Sequence, residues 1–405
     1  MEENINQTDP RVIGERLAEY RKAAGLTQAD AADHLGMSRP TFIAIEKGTR
    51  EARPEELLSL AKLYKRSLHE IVRAGAQVIA LEPHLRANLG PDERDLAGMP
   101  QTIDELNGLA TDYRELERLL GAQLKVVHPP EIAIPSRGDL QEFAESVALR
   151  ERSRFRLGDG PIHHIRSILE TQVGVRVFYG DMPKGVSGMF AYIPDLGYCV
   201  MVNRVHPKTR RRATLTHEYG HFLCDRHKPG VDLVEQAGRK PRNEYFCDSF
   251  AMSFLLPRAS VSQFFHDVVE STGDFKVADL VRLSDLYLVS LEAAARRMEG
   301  LGLVGKGMWD MLKARGFSHK KARERLGLSA LGEEPPQLLP ERYCQLAVRA
   351  FQKELITEGQ LARFLRVDRL KAREIVERES TRDVGSDDEP EEQQAQLNFS
   401  LFSAE

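Results

Sequence analysis

Apolar positions recur every three to four residues along most of this chain and switch to strict alternation only in one stretch near its middle. The helical period divides residues 11–72 into five short helices. It returns over Thr102–Leu120, where Leu106, Leu109, Tyr113, Leu116, Leu119 and Leu120 make one stripe, and Thr102 with Glu105 is expected to form the starting capping box. Asp139–Leu157 and Pro161–Gln172 read as two further helices. Alternation then marks Val175–Tyr179, Met189–Ile193 and Tyr198–Asn203 as strands, the last two joined by a turn at Pro194–Gly197. Helical spacing resumes around Thr214–Cys224, over Phe246–Leu256, and over Asp279–Met298 as two short helices meeting at Val289-Ser290. Thr357–Val376 has helix-turn-helix spacing without the glycine of a tight turn, and is read as a helical accessory element. The expected class is mainly α with a small β-sheet (α+β).

Near the amino terminus, Thr27 starts a short helix whose inward stripe is Ala31, Ala32 and Leu35. Gly36 supplies the positive φ of a sharp turn, Ser38 caps the next helix with Pro40 in its first turn, and Gly48 ends it. Two short helices about such a turn form a helix-turn-helix, whose second helix enters the major groove of duplex DNA. The stretch, with Leu57, Leu60 and Ala61 downstream, resembles the Xre/Cro-type phage-repressor family. The resemblance implies that Gln28 meets backbone or base, that Arg39 and Thr41 reach base edges, and that Lys47 and Arg50 meet phosphate. Ile43 and Ala44 stand where the family carries polar side chains, and suit a thymine methyl or a protein-facing surface. Residues 1–72 hold 11 Lys and Arg against 12 Asp and Glu, so this region has no excess positive charge to release counterions from DNA.

The densest chemistry lies at His217-Glu218-Tyr219-Gly220-His221, an H-E-x-x-H pattern on an apolar-flanked helix. Residues four apart share a helical face, so His217 and His221 can aim at one ion, while Glu218 lies about 100° away, placed to hold a water without being a ligand. Glu244 opens a second apolar helix, and Asp248, one turn later, is placed to accept the far N–H of a ligand histidine. Two neutral histidines and a carboxylate leave a zinc ion one open position for water, with Glu218 as general base. A fourth protein ligand would close that position. Asp225, His227 and Glu235 are rival ligands by proximity, ranked below Glu244 because they fall in the loop after the motif.

The segment from Gly197-Tyr198-Cys199-Val200-Met201-Val202-Asn203, through the motif, to Glu244-x-x-Cys247-Asp248-x-Phe250-Ala251-x-x-Phe254-Leu255-Leu256-Pro257 resembles the ImmA/IrrE family of metallo-endopeptidases. The resemblance implies a zincin-like domain with His217, His221 and Glu244 as zinc ligands and Glu218 as catalytic base. It also implies a narrow substrate, a repressor-like transcription factor whose cleavage switches on stress or mobile-element genes. Cys247 replaces the usual Ala, and Asp225 stands where a His often follows the motif. The strand Tyr198–Asn203, with Tyr198, Val200, Val202 and Asn203, is the candidate edge for pairing with an extended substrate. Of Arg210, Arg211 and Arg212, one is expected to be buried and the rest solvated; His163 and His164 are read as structural.

Composition adds bounds. The 405 residues suffice for several domains, and 41% hydrophobic with 29% charged residues is ordinary for a globular protein. Cys199, Cys224, Cys247 and Cys344 have no paired spacing, which favours reduced thiols in a cytoplasm. No apolar run or amino-terminal leader suggests a membrane, and a net charge of −4 means that any DNA contact must come from a local surface. The expected organisation is a DNA-binding head over 1–75, a helical connector over 76–135, the metallopeptidase over 136–270, a helical accessory region over 271–378 and an acidic, disordered tail over 379–405. Zn²⁺ is the expected cofactor, with Mn²⁺ or Fe²⁺ possible at the same donors. The partners expected are a DNA operator, a protein substrate and a second copy as homodimer. The alternative is a regulator or antitoxin-like module that uses the zincin-like domain as a metal sensor or docking module.

Overall fold

The computed structural model describes residues 9–64, 68, 71, 98–124, 128–183, 185–193, 196–228, 230–233, 241–328 and 337–387. Leu89-Gly90-Pro91, the Pro194-Asp195 corner, Glu235, the acidic run from Asp388 and the apolar Leu397–Phe402 lie outside the described residues. The chain divides into one unit drawn from residues 1–94 and 103–111, and another drawn from 95–102 and 112–405.

In the first unit, α1 (Pro10–Ala23), α2 (Gln28–His34), α3 (Arg39–Glu46) and α4 (Pro54–Leu63) are described. The fifth expected helix falls on residues described only at Leu68 and Ile71. The capping logic holds: Thr27 and Asp30 exchange bonds at the start of α2, Gly36 sits at φ 63°, and Ser38 accepts from Thr41 N–H. Leu17, Ala31, Ala32, Phe42, Ile45 and Leu60 are fully enclosed between the helices; of the expected stripe, Ala31 and Ala32 are buried and Leu35 is half-buried against the same core.

The second unit contains a four-stranded sheet: β1 (Arg176–Gly180), β2 (Val186–Ile193), β3 (Gly197–Asn203) and β4 (Gly230–Leu233), in spatial order β1-β3-β2-β4. β1 pairs parallel to β3, while β2 runs antiparallel to both β3 and β4. β3 therefore lies inside the sheet, which corrects the reading of Tyr198–Asn203 as an edge. Both sides of its ladder are taken, and Tyr198, Val200 and Val202 pack in the core shared with the motif helix (Lys208–Cys224). Asn203, at the strand end, donates from Nδ2 to the carbonyl of Val186 at 2.8 Å and so fastens the β1–β2 connection. None of the four is a surface for substrate.

The motif helix is wedged between the sheet and two helices, Leu140–Arg154 and the carboxylate helix Arg242–Leu255. Leu215, Tyr219, Phe222, Phe246, Phe250 and Phe254 fill the space, and the Tyr219 hydroxyl reaches Glu151 on the first of those helices. Arg212 is the buried arginine of its triplet, donating to the carbonyls of Ile162, His163 and Leu288. His163 and His164 are exposed. The extended joint at 128–135 is part of this domain, because Ile132 N–H bonds the Leu223 carbonyl at 2.8 Å and Ile132 and Ile134 pack on the same core.

Helical boundaries differ from expectation in three places. The helix read as Thr102–Leu120 spans Met99–Leu119; Pro100 occupies its first turn, and the Thr102 hydroxyl donates back to the Gly98 carbonyl at 3.0 Å instead of capping. Where Pro161–Gln172 was expected to be one helix, Ile165–Ile168 is a single α-helical turn followed by a wide π-type turn over Leu169–Val173. The last helix, Arg369–Asp387, is still helical at 379, where the acidic tail was expected to begin. Among the described residues no helix is long and apolar enough to cross a membrane.

Candidate metal centre and DNA-binding surface

His217 and His221 stand one turn apart on the motif helix with their Nε2 atoms 3.1 Å from each other. The carboxylate helix crosses in front of them, and Glu244 reaches over: one oxygen lies 3.3 Å from His217 Nε2, the other 3.3 Å from His221 Nε2. Three donors on the edges of a tetrahedral zinc site with bonds of about 2.0–2.1 Å would sit about 3.3 Å apart. The donor set fits the ion.

The far nitrogens of both rings are held. Asp248 Oδ1 lies 3.0 Å from His217 Nδ1, as the one-turn spacing predicts, and Asp225 Oδ1 lies 2.9 Å from His221 Nδ1. Asp225 is steadied in turn by Asn243 Nδ2 at 3.0 Å. Asp225, a rival ligand by sequence, thus works behind the ring, away from the Nε2 face. His227 packs its ring against Tyr192 at 4.5 Å between centroids. These carboxylates make the pocket strongly favourable for a cation. Burial opposes protonation of His221, yet its bonds to Asp225 and Glu244 push its pKa up to about 10. Burial would raise Glu244, but the two imidazoles hold it far below the usual carboxylate range.

Glu218 is fully buried beside this triad. Gly188 on β2 makes the room: a Cβ there would stop 2.7 Å from Glu218 Oε1 and 2.8 Å from Thr214 Cγ2. The Glu218 carbonyl accepts from the Tyr198 hydroxyl at 3.0 Å, pinning this turn of the motif helix to the sheet. The motif's glycine has its own reason. A Cβ on Gly220 would lie 3.0 Å from Cys247 Sγ and 3.1 Å from Cys247 Cα, so only glycine lets the two helices cross this closely. Cys247, which spacing did not single out, has its thiol within 4.8 Å of the donor atoms of His217 and His221.

In the first unit, Glu46 links the candidate DNA residues to the core. Its carboxylate takes the buried Arg21 at 2.7 Å and the Gln28 amide at 2.8 Å. Arg39 in turn lies 3.5 Å from Gln28 Oε1, and Thr41 Oγ1 is 2.7 Å from Ser38 Oγ. Lys47 is exposed. Arg50 is bound through both terminal nitrogens to Glu56, at 3.1 and 2.7 Å, which takes up the charge expected for phosphate. Ile43 and Ala44 are half-buried.

Residues 12–74 match a helix-turn-helix domain model, and residues 170–299 match the IrrE N-terminal-like domain model. The chain joins a helix-turn-helix domain to an IrrE-type domain. The chain is also similar to a curated protein, the uncharacterized HTH-type transcriptional regulator YqaE of Bacillus subtilis (strain 168). It is 29% identical over 96 residues, covering 24% of this chain and 83% of the relative. Among solved structures, ComR from Streptococcus suis aligns over 93% of this chain and 96% of its own at 10% identity, with a TM-score of 0.16, too low to carry a conclusion. In the IrrE-type domain, the motif helix and the carboxylate helix both fall inside the matched residues.

Proposed function

We propose that this protein is a cytoplasmic DNA-binding transcriptional regulator whose IrrE-type domain is a zinc metallo-endopeptidase acting on a specific repressor-like protein. The observation that carries the reading is the meeting of His217, His221 and Glu244 at 3.1–3.3 Å with buried Glu218 beside them. When bound, the ion would polarise the scissile carbonyl and lower the pKa of a water. Glu218 would take the proton from that water and deliver it to the leaving amine. Asp248 and Asp225 fix which face each imidazole presents. With β3 enclosed, the outer ladder edge next to β2 belongs to β4, and an extended substrate would pair there.

The test is incubation of zinc-loaded protein with purified repressors encoded by neighbouring genes, followed by mass analysis. Glu218→Gln is expected to keep zinc and lose every fragment; undiminished cleavage by that variant would remove Glu218 from the role of base. The thiol of Cys247 favours one second reading, a closed four-ligand site that senses metal and cleaves nothing. Cobalt substitution separates the two: a thiolate-to-cobalt absorption band, absent from Cys247→Ala, belongs to the sensor.

A further inference from the structure

One backbone turn occurs five times among the described residues, with Gly25, Gly36, Leu288, Gly316 or Arg366 at its left-handed position. In α2–α3 the turn is made by Gly36 N–H to the Asp33 carbonyl at 3.0 Å and Met37 N–H to the Ala32 carbonyl at 3.0 Å, and Phe42 N–H then bonds the Ser38 carbonyl at 3.1 Å. The helices Met308–Ala314 and His319–Arg325 repeat it: Gly316 to Lys313 at 3.0 Å, Phe317 to Leu312 at 3.1 Å, Ala322 to Ser318 at 3.1 Å. The helices Glu358–Leu365 and Arg369–Asp387 repeat it again: Arg366 to Arg363 at 3.1 Å, Val367 to Ala362 at 3.1 Å, Ala372 to Asp368 at 3.0 Å. Gly36, Gly316 and Arg366 hold the same place in the turn at φ 63°, 65° and 56°. Ser38, Ser318 and Asp368 each cap the helix that follows.

The copies at Gly36, Gly316 and Arg366 differ in what becomes of their positive charge. In the last copy most of it is paired: Arg363 and Arg366 bind Asp112, Lys371 binds Glu374 and Arg373 binds Glu358. In the first, Arg50 is occupied by Glu56. The middle copy is rich in charge, with Lys306, Lys313, Arg315, Lys320, Lys321, Arg323 and Arg325 against Asp310 and Glu324 over 306–328. Its acid Asp310 binds Arg296 and its buried Arg323 binds Asp285. Lys313, Arg315, Lys320, Lys321 and Arg325 are all exposed, and none pairs with a carboxylate among the described residues.

We propose that this middle helix-turn-helix, through Lys313, Arg315, Lys320, Lys321 and Arg325, is a second contact for duplex DNA, made to the phosphate backbone. The second helix of such a turn is the element that lies along a groove, and Lys320 and Lys321 open that helix on its solvent side. Phosphate contacts fix position and release counterions without reading sequence. They supply the attraction that the charge-balanced amino-terminal domain lacks. The helices carrying this site lie beyond residue 299, outside both matched segments, and the proposal stands whether or not the IrrE-type domain cleaves protein.

Fluorescence anisotropy of the full chain on a labelled random-sequence duplex, over a salt series, tests it. Lys320→Gln with Lys321→Gln is expected to weaken binding roughly tenfold at low salt, and to flatten the plot of log K against log salt by about 0.9 for each phosphate that the protein no longer neutralises. Adding Lys313→Gln, Arg315→Gln and Arg325→Gln deepens both effects, and Glu324→Gln is expected to act in the opposite sense. Because Lys320 and Lys321 are exposed, the double variant reads the site even if the five-residue variant folds poorly. Unchanged affinity and slope in the double variant overturn the proposal. So does a weakening confined to vesicles of anionic lipid, which would assign the patch to a membrane surface.

Discussion

Asp225 holds His221 from behind, its Oδ1 2.9 Å from Nδ1, while Glu244 waits 3.3 Å from the other nitrogen of the same ring. The imidazole is thereby turned before any ion arrives, and the Asp225–Asn243 bond extends the support to the carboxylate helix.

Asp225→Ala is therefore expected to lower zinc affinity by roughly 10–100-fold, the usual cost of losing a partner of this kind. Competition against a coloured chelator measures it. Asp248→Ala should cost less, because the Asp248 side chain is 43% exposed and water can take its place. Equal losses would contradict this ranking.

Gly188→Ala separates binding from chemistry. Its new Cβ would press on Glu218 Oε1 and on Thr214, displacing the base without touching a ligand. Zinc stoichiometry should stay at the wild-type value while the cleavage rate falls on the order of 10²-fold, as for about 1 Å of misplacement.

The metal-free protein should respond to pH in a defined direction. His221 rises from 6.5 to about 10 on folding, so its contribution is complete below pH 6.5 and is lost as pH climbs through 10. The melting temperature without metal should fall across that window. Zinc affinity should rise over the same window, since the ion must displace that proton. Titrations of melting and of zinc binding, both with and without chelator, check the two slopes.

In the first unit, Glu46→Ala strands the buried guanidinium of Arg21 and releases Gln28. Breaking one side of a buried pair costs roughly 3–5 kcal/mol, visible in urea unfolding of the helix-turn-helix domain. Operator discrimination should fall with it, because Arg39 loses its support through Gln28.

The legible part of this molecule was local and periodic. Four-residue spacing placed His217 with His221, one-turn spacing placed Asp248 behind a ring, and the cap and turn residues of α2–α3 named their own geometry. What escaped depends on contacts across the chain. β4 is four residues long and opens on glycine, too short to show alternation. Nothing in Tyr198–Asn203 says that a parallel strand will cover its second edge. Asp225 stands four residues after His221 at the end of the motif helix, so the same spacing that pairs the histidines also places it behind the ring, and proximity alone made it look like a rival ligand. The turn within Thr357–Val376 has no glycine to announce it, and Arg366 takes the left-handed conformation regardless.

Arg366 carries a further implication. A side-chain-bearing residue at φ 56° costs about 1–2 kcal/mol, and its guanidinium is moored to Asp112 at 2.8 Å. Backbone tension in the corner and one of the two arginine contacts to Asp112, the other being from Arg363, therefore reside in one residue. Glycine there would relax the corner and leave Asp112 to Arg363 alone, so relief of strain and loss of a tether come together.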